Sequence, residues 1–125
     1  MKRDLDLVRK ILMYYEEKDV DGMDRTIEVE GYSESLINYH LLLMDEAGLL
    51  RCERSVSSST PSRIIKVYPF SLTWSGHEFL SSAKNEGLWS KAKSLSLDKA
   101  GILSFDIMKD LLIGLAKEKL GMSQG

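Results

Sequence analysis

The stretch GYSESLINYHLLLMDEAGLLRCERSV, residues 31–56, constrains the fold of this chain more than any other. Ser33 supplies a side-chain oxygen for a helix N-cap. Leu36, Ile37, His40, Leu41, Leu43 and Met44 then recur at helical spacing and turn mostly inward, up to Ala47. Gly48 follows as a residue free to adopt the left-handed turn that ends helices. The next residues, LLRCERSV, read as a strand. SSSTPS, with Pro61, reads as a polar turn and RIIKVYPF as the returning strand, which LTW closes. A capped helix running straight into a hairpin with a loop too long for a tight turn admits few folds.

The flanking segments narrow the choice. Leu5, Val8, Leu12 and Tyr15, widened by Leu7, Ile11 and Tyr14, predict a first helix from Asp4 to Lys18, with Asp4 and Asp6 in its first turn. DVDG at 19–22 ends it. RTIEVEGY alternates Ile27 and Val29 against Thr26, Glu28 and Glu30, which predicts a short half-buried strand. Ser75 with Glu78 matches a capping box and predicts a helix opening at SGHEFLSSAK. Asn85–Gly87 breaks or bends it, and LWSKAKSLSLDKAG reads as a further helix. Ser104 caps the last one, with Phe105, Met108, Leu111, Leu112, Leu115 and Leu120 as its apolar stripe and Gly114 weakening its middle. The expected class is α+β: a winged helix-turn-helix-like domain over residues 1–84, mostly α with a small antiparallel hairpin wing. A two-helix C-terminal extension over 85–125 packs on that domain or on a second subunit.

A chain of 125 residues is the size of one ordinary domain, and 43% hydrophobic with 29% charged residues is ordinary for a soluble protein. Apolar runs of about four residues fall far short of the roughly 20 a membrane span needs, so no membrane role is expected. MKRDLDLVRK does not read as a signal peptide, and the single Cys52 excludes an internal disulfide; a cytoplasmic protein is expected. The net charge of −2 conceals a division. Residues 19–50 carry Arg25 against eight carboxylates, whereas residues 51–66 carry Arg51, Arg54, Arg63 and Lys66 against Glu53.

Two segments resemble winged-helix regulators. GYSESLINYHLLLMDEAGLL is similar to the turn and recognition helix of small bacterial repressors, with His40–Leu41 and Ala47–Gly48–Leu49 in the matching positions. YPFSLTWSGHEFL resembles the Leu-Thr-x-x-Gly signature that follows the wing, at Leu72, Thr73 and Gly76. A closer resemblance runs through MKRDLDLVRKIL, the 31–50 segment, LTWSGHEFL and LSFDIMKDLLIGLAKEKLG, all similar to one bacterial and prophage-associated family, domain of unknown function 2513. The resemblance implies a winged-helix-like fold and an association with mobile elements; it implies no activity. The pattern departs from the regulators in two ways. DRTIEVEG stands where the first helix of the motif belongs, and the helix 33–47 contains no Lys or Arg.

Two functions from different classes follow. The first is a DNA-binding transcriptional regulator of phage or mobile-element origin, with double-stranded DNA as partner. Arg51, Arg54, Arg63 and Lys66 on the wing would meet phosphates or a minor groove, and Ser35, Asn38 and Tyr39 would meet base edges. The second is a protein-interaction module, whose acidic face of Glu34, Tyr39, Leu42, Asp45 and Glu46 docks on a host or phage protein. The ordinary alternatives are a solvated hairpin and an exposed helix face. The last helix serves equally as monomer core or as the seam of a homodimer.

No enzyme is expected, and no catalytic residue, cofactor or metal. The chain has no GxSxG elbow, no glycine-rich phosphate loop and no CxxC. HEFLS lacks the second His of a zinc protease helix, and two histidines with one cysteine do not build a standard zinc site. DVDGMDRTIEVE places Asp19, Asp21 and Glu30 in calcium-loop register, but Met23 and Asp24 occupy its fifth and sixth positions. His40 reads as a hydrogen-bonded core histidine and Cys52 as a strand cysteine. Trp74 and Trp89, flanking the third helix, read as buried anchors of the C-terminal helices to the wing domain.

Overall fold

A computed structural model describes residues 1–121. Five helices and two strands follow in the order α1 (Leu5–Glu17), α2 (Glu34–Glu46), β1 (Leu50–Val56), β2 (Ile64–Leu72), α3 (Trp74–Ala83), α4 (Glu86–Ala100) and α5 (Phe105–Lys119). The α+β class is as expected, with one two-stranded antiparallel sheet among the described residues. Packing divides the chain into two compact units, residues 1–77 and a second beginning at Glu78, so the division falls inside α3, ahead of the expected boundary at Asn85.

In the first unit, Asp4 caps α1 by accepting from the backbone of Asp6 at 2.9 Å. Leu5, Leu7, Val8, Ile11, Leu12 and Tyr15 bury one face of that helix. Ser33 caps α2, which buries Ile37, His40, Leu41 and Met44. His40 is fully buried and joins the two helices. Its Nδ1 lies 2.9 Å from the Leu36 carbonyl, and its Nε2 accepts from the backbone N–H of Asp4 at 2.7 Å. A backbone N–H can only donate, so the ring carries its proton on Nδ1. The expectation of a core histidine is met.

RTIEVEGY is not a strand. The alternation is real: Ile27 is buried and Val29 half-buried, while Thr26, Glu28 and Glu30 are exposed. However, no neighbouring strand pairs with it. Lys18 ties down the connection ahead of it. Its ammonium donates to the Asp24 carboxylate at 3.0 Å, to the Phe70 carbonyl at 3.1 Å and to the Gly22 carbonyl. The Asp24 backbone N–H donates to Pro69 at 2.9 Å.

The hairpin pairs Leu50 with Leu72, Cys52 with Pro69, Arg54 with Val67 and Val56 with Ile64, with register shifts after Arg51 and Ser55. Paired residues share a face, so Arg54 lies on the inner face with the buried Val67, while Glu53, Tyr68 and Lys66 lie on the outer one. At the base of the hairpin the chain closes on itself. Thr73 donates its backbone N–H to the Leu49 carbonyl at 3.1 Å and its hydroxyl to the Gly48 carbonyl. The same hydroxyl accepts from the Gly76 backbone at 3.0 Å and so opens α3. Thr73, not the Ser75–Glu78 pair, therefore caps this helix.

In the second unit, Asn85 caps α4 through the Leu88 N–H at 2.9 Å, and Gly101 ends that helix in the left-handed region. Ser104 caps α5. Phe79 stacks on Phe105 at 4.4 Å and meets the buried Trp89 edge-on at 6.3 Å. Trp89 is buried, as expected, and packs on Phe79 within the second unit. Trp74 is 80% exposed and anchors nothing. It lies in the first turn of α3 on the solvent side, where helical spacing puts the buried partner at Gly76 instead.

A Cβ placed on Gly76 would overlap the Leu49 carbonyl oxygen, which is backbone and has nowhere to go. Gly76→Ala is expected to cost about 1–3 kcal/mol, the range for overpacking a tight site. Gly87→Ala, whose Cβ would sit 3.4 Å from Asn85 Oδ1 inside a helix, should be neutral or stabilising. Urea denaturation of both variants checks the contrast; equal midpoints would refute the close approach.

Candidate nucleic-acid interface

The stripe of α2 that turns away from the core is Ser35, Asn38, Tyr39, Leu42 and Glu46, at helical spacing. Ser35 and Glu46 are exposed; Asn38, Tyr39 and Leu42 are half-buried. Glu34 is exposed at the other end, about 18 Å along the axis from Glu46 at 1.5 Å per residue. The stripe holds one carboxylate and no cation. Leu42 and Tyr39 follow one another at i and i+3 on the same side, so they form a small, partly open apolar spot rather than a wide patch.

Asp45 does not belong to this face. It is buried, and both its oxygens are taken by Arg54, whose Nε lies 3.0 Å and whose Nη2 lies 3.3 Å away. A planar guanidinium suits this two-point contact. The same pair removes Arg54 from the set of wing cations free to meet phosphate. The reason lies in the register: opposite Val67, Arg54 points to the inner face of the hairpin, towards the end of α2.

The remaining wing cations are distributed along the hairpin. Arg51 stands exposed near the base, opposite Ser71, and Arg63 stands exposed at the turn. Neither has a carboxylate partner among the described residues. Lys66 lies over the Tyr68 ring, its Nζ 5.2 Å from the centroid, on the outer face opposite Ser55. The turn is held by its own serines: the Ser57 backbone donates to Arg63 at 2.9 Å, and Ser57 Oγ lies 3.1 Å from Ser59 Oγ. Val56 and Ile65 are exposed beside it, at 50% and 61%. The hairpin end thus combines apolar side chains with free positive charge.

Cys52 is free and lies half-buried on the inner face. Burial and the Asp45 carboxylate push its thiol up to about 12, with Arg54 opposing weakly. Burial, and after it the Asp24 carboxylate, likewise raises Tyr15 above the ordinary phenol range. Lys18 and the Asp45–Arg54 pair escaped the sequence reading. Neither has a periodic signal: Lys18 follows the last helical turn, and the pair spans a helix and a strand whose register the sequence does not display.

Arg54→Ala is expected to lower the melting temperature, because it leaves Asp45 buried without its partner. Arg54→Lys should restore only part of the loss, since an ammonium does not reproduce the two-point contact. Full rescue by Lys in thermal denaturation would show that charge alone matters. For Cys52, a raised folded-state value means that folding favours the protonated thiol. Its stabilising contribution is complete below about pH 9 and is lost as pH climbs towards about 12. Alkylation by iodoacetamide at pH 8 should accordingly be much slower in the native protein than in urea; equal rates would place the thiol in an ordinary environment.

Comparison with known proteins adds kinship. A family model described as "Hypothetical protein (DUF2513)" matches residues 2–102, which spans α1 to α4 and leaves α5 outside. A protein of Haemophilus influenzae described as "Uncharacterized protein" is 31% identical over 112 residues, covering 89% of this chain and 92% of its own length. No solved structure matches. On the extent of both matches, the chain belongs to the DUF2513 family.

Proposed function

We propose that this chain is a DNA-binding transcriptional regulator of phage or mobile-element origin, with a winged-helix-like first unit that grips duplex DNA chiefly through its hairpin. The observation that carries the reading is the state of the wing cations. Arg51 and Arg63 are exposed and unneutralised, and Lys66 stands with them on a narrow hairpin that ends in serines and two exposed aliphatic side chains. Phosphate neutralisation supplies most non-specific affinity for DNA, and these are the groups able to supply it. Ser35, Asn38 and Tyr39, on the open stripe of α2, are the candidates for base edges. Two-fold pairing through α5, whose Ile113 stays exposed as does its C-cap Leu120, belongs to the same reading. The reading calls for no catalysis.

A second reading has its own support. The open stripe of α2 lacks cations and carries Tyr39 and Leu42, a surface chemistry closer to a protein contact than to a phosphate contact. In that case α2 docks on a host or phage protein and the wing cations serve solubility.

Fluorescence anisotropy with mixed-sequence duplex separates the two. The test variant is Arg51→Ala/Arg63→Ala/Lys66→Ala, with Arg54 left in place because it holds Asp45. Three phosphate contacts predict an affinity loss of about 40-fold between roughly 50 and 200 mM salt, and loss of binding in the variant. Absence of binding by the wild type at low salt, or a variant that binds equally well, overturns the wing reading and favours the protein contact.

A further inference from the structure

We propose that residues 26–30 accept an extended basic segment of a partner protein as an added β-strand. This surface is separate from the wing, and the inference does not rest on the DNA reading.

Three observations on the same surface carry it. The first is an open row of backbone groups. Thr26 to Val29 alternates in burial and lies outside every helix, strand and turn, while Glu30 already belongs to the turn in which the Val29 carbonyl accepts from Tyr32 at 3.2 Å; that carbonyl is the one bonded backbone group of the segment among the described residues. Such a row is a template for another strand. The second is a cleft that runs along it. A cavity of about 670 Å³ is lined by every residue from Thr26 to Tyr32 and closed on its far side by Glu34 and Ile37 of α2. A trough between an extended segment and a helix is the geometry in which an added strand is gripped from both sides. Four residues in extended conformation span about 13 Å, enough for a short strand.

The third observation is charge. Glu28, Glu30 and Glu34 are exposed at this cleft, and none has a cationic partner among the described residues. The nearest neutralised carboxylate, Asp24, is held by Lys18 and lies before the row begins. The residue types therefore select the occupant. An added strand alternates in step with its template, so side chains on the Glu28 and Glu30 side should be Lys or Arg. Those on the Ile27 and Val29 side should be small and apolar.

The probe is a fluorescein-labelled peptide of alternating Lys and Val, seven residues long, followed by anisotropy and by amide hydrogen exchange of the protein. Saturable binding is expected, with slowed exchange at backbone amides within 26–30. Glu28→Lys/Glu30→Lys/Glu34→Lys, whose side chains are all exposed and whose fold is checked by circular dichroism, should bind at least 10-fold more weakly. The same peptide with alternate backbone nitrogens methylated keeps its charge but cannot complete the ladder, and should lose binding to the same degree. No binding overturns the proposal. So does equal binding of the methylated peptide with no change in exchange, which would reduce the cleft to a patch that attracts positive charge. A Glu–Val peptide that binds as well as the Lys–Val one overturns the assignment of a basic partner.

Discussion

The first unit depends on one contact made twice: the carbonyls of Gly48 and Leu49, at the end of α2, each accept a hydrogen bond from Thr73, at the start of α3. Those two carbonyls would otherwise be left open where a helix has just ended. By taking both, Thr73 fixes where the hairpin leaves and where it returns, and Leu50 pairs with Leu72 as a direct consequence. Gly76 completes the arrangement from the other side, because only a residue without a Cβ lets α3 start against the Leu49 carbonyl. Segments that stand 25 residues apart, Gly48 and Thr73, are thus a single structural device. The Asp45–Arg54 pair is a second strut between the same helix and the same hairpin, set one turn deeper.

What the sequence made legible was whatever depended on local chemistry. Ser33 and Ser104 cap their helices as expected, while Asp4, expected in the first turn, and Asn85, expected at a break or bend, prove to be N-caps as well. The faces of α1 and α2 follow their apolar spacing, down to the buried His40. The failures all involve partners distant in sequence. Ile27 and Val29 alternate as a strand would, but a strand also needs a neighbour's hydrogen bonds, and Lys18 and Asp24 use the nearby edge of β2 only up to Pro69. Ser75 and Glu78 match a capping box, yet Thr73 sits closer to the true start and already faces Gly48. Trp74 is large and apolar, but its place in the first turn of α3 directs it outward.

The candidate site shows the same division. Arg54 and Asp45 read as members of opposed surfaces, one basic and one acidic. Register puts them on the same side of the hairpin base, where each cancels the other. Eight carboxylates in residues 19–50 suggest uniform repulsion of any polyanion, but Asp24 and Asp45 are spent on Lys18 and Arg54. Of the six that remain, Asp19 and Asp21 lie in the connection after α1, Glu28, Glu30 and Glu34 line one cleft, and Glu46 stands at the far end of α2. On the hairpin, Arg51 and Arg63 stay exposed.

That separation gives one small chain of net charge −2 open charge of either sign on different segments. At physiological ionic strength exposed charges act over about 8 Å, so a phosphate at the hairpin end would sense Arg63 and Lys66 far more than carboxylates lying beyond that distance. A chain with mixed charges on one face would lose this advantage, since each approaching group would meet attraction and repulsion together. Pairing Asp45 with Arg54 therefore does more than tie α2 to the hairpin. It neutralises one carboxylate beside the hairpin and leaves Glu53 as the exposed one on its outer face, at the cost of a single arginine that the fold then uses as a brace.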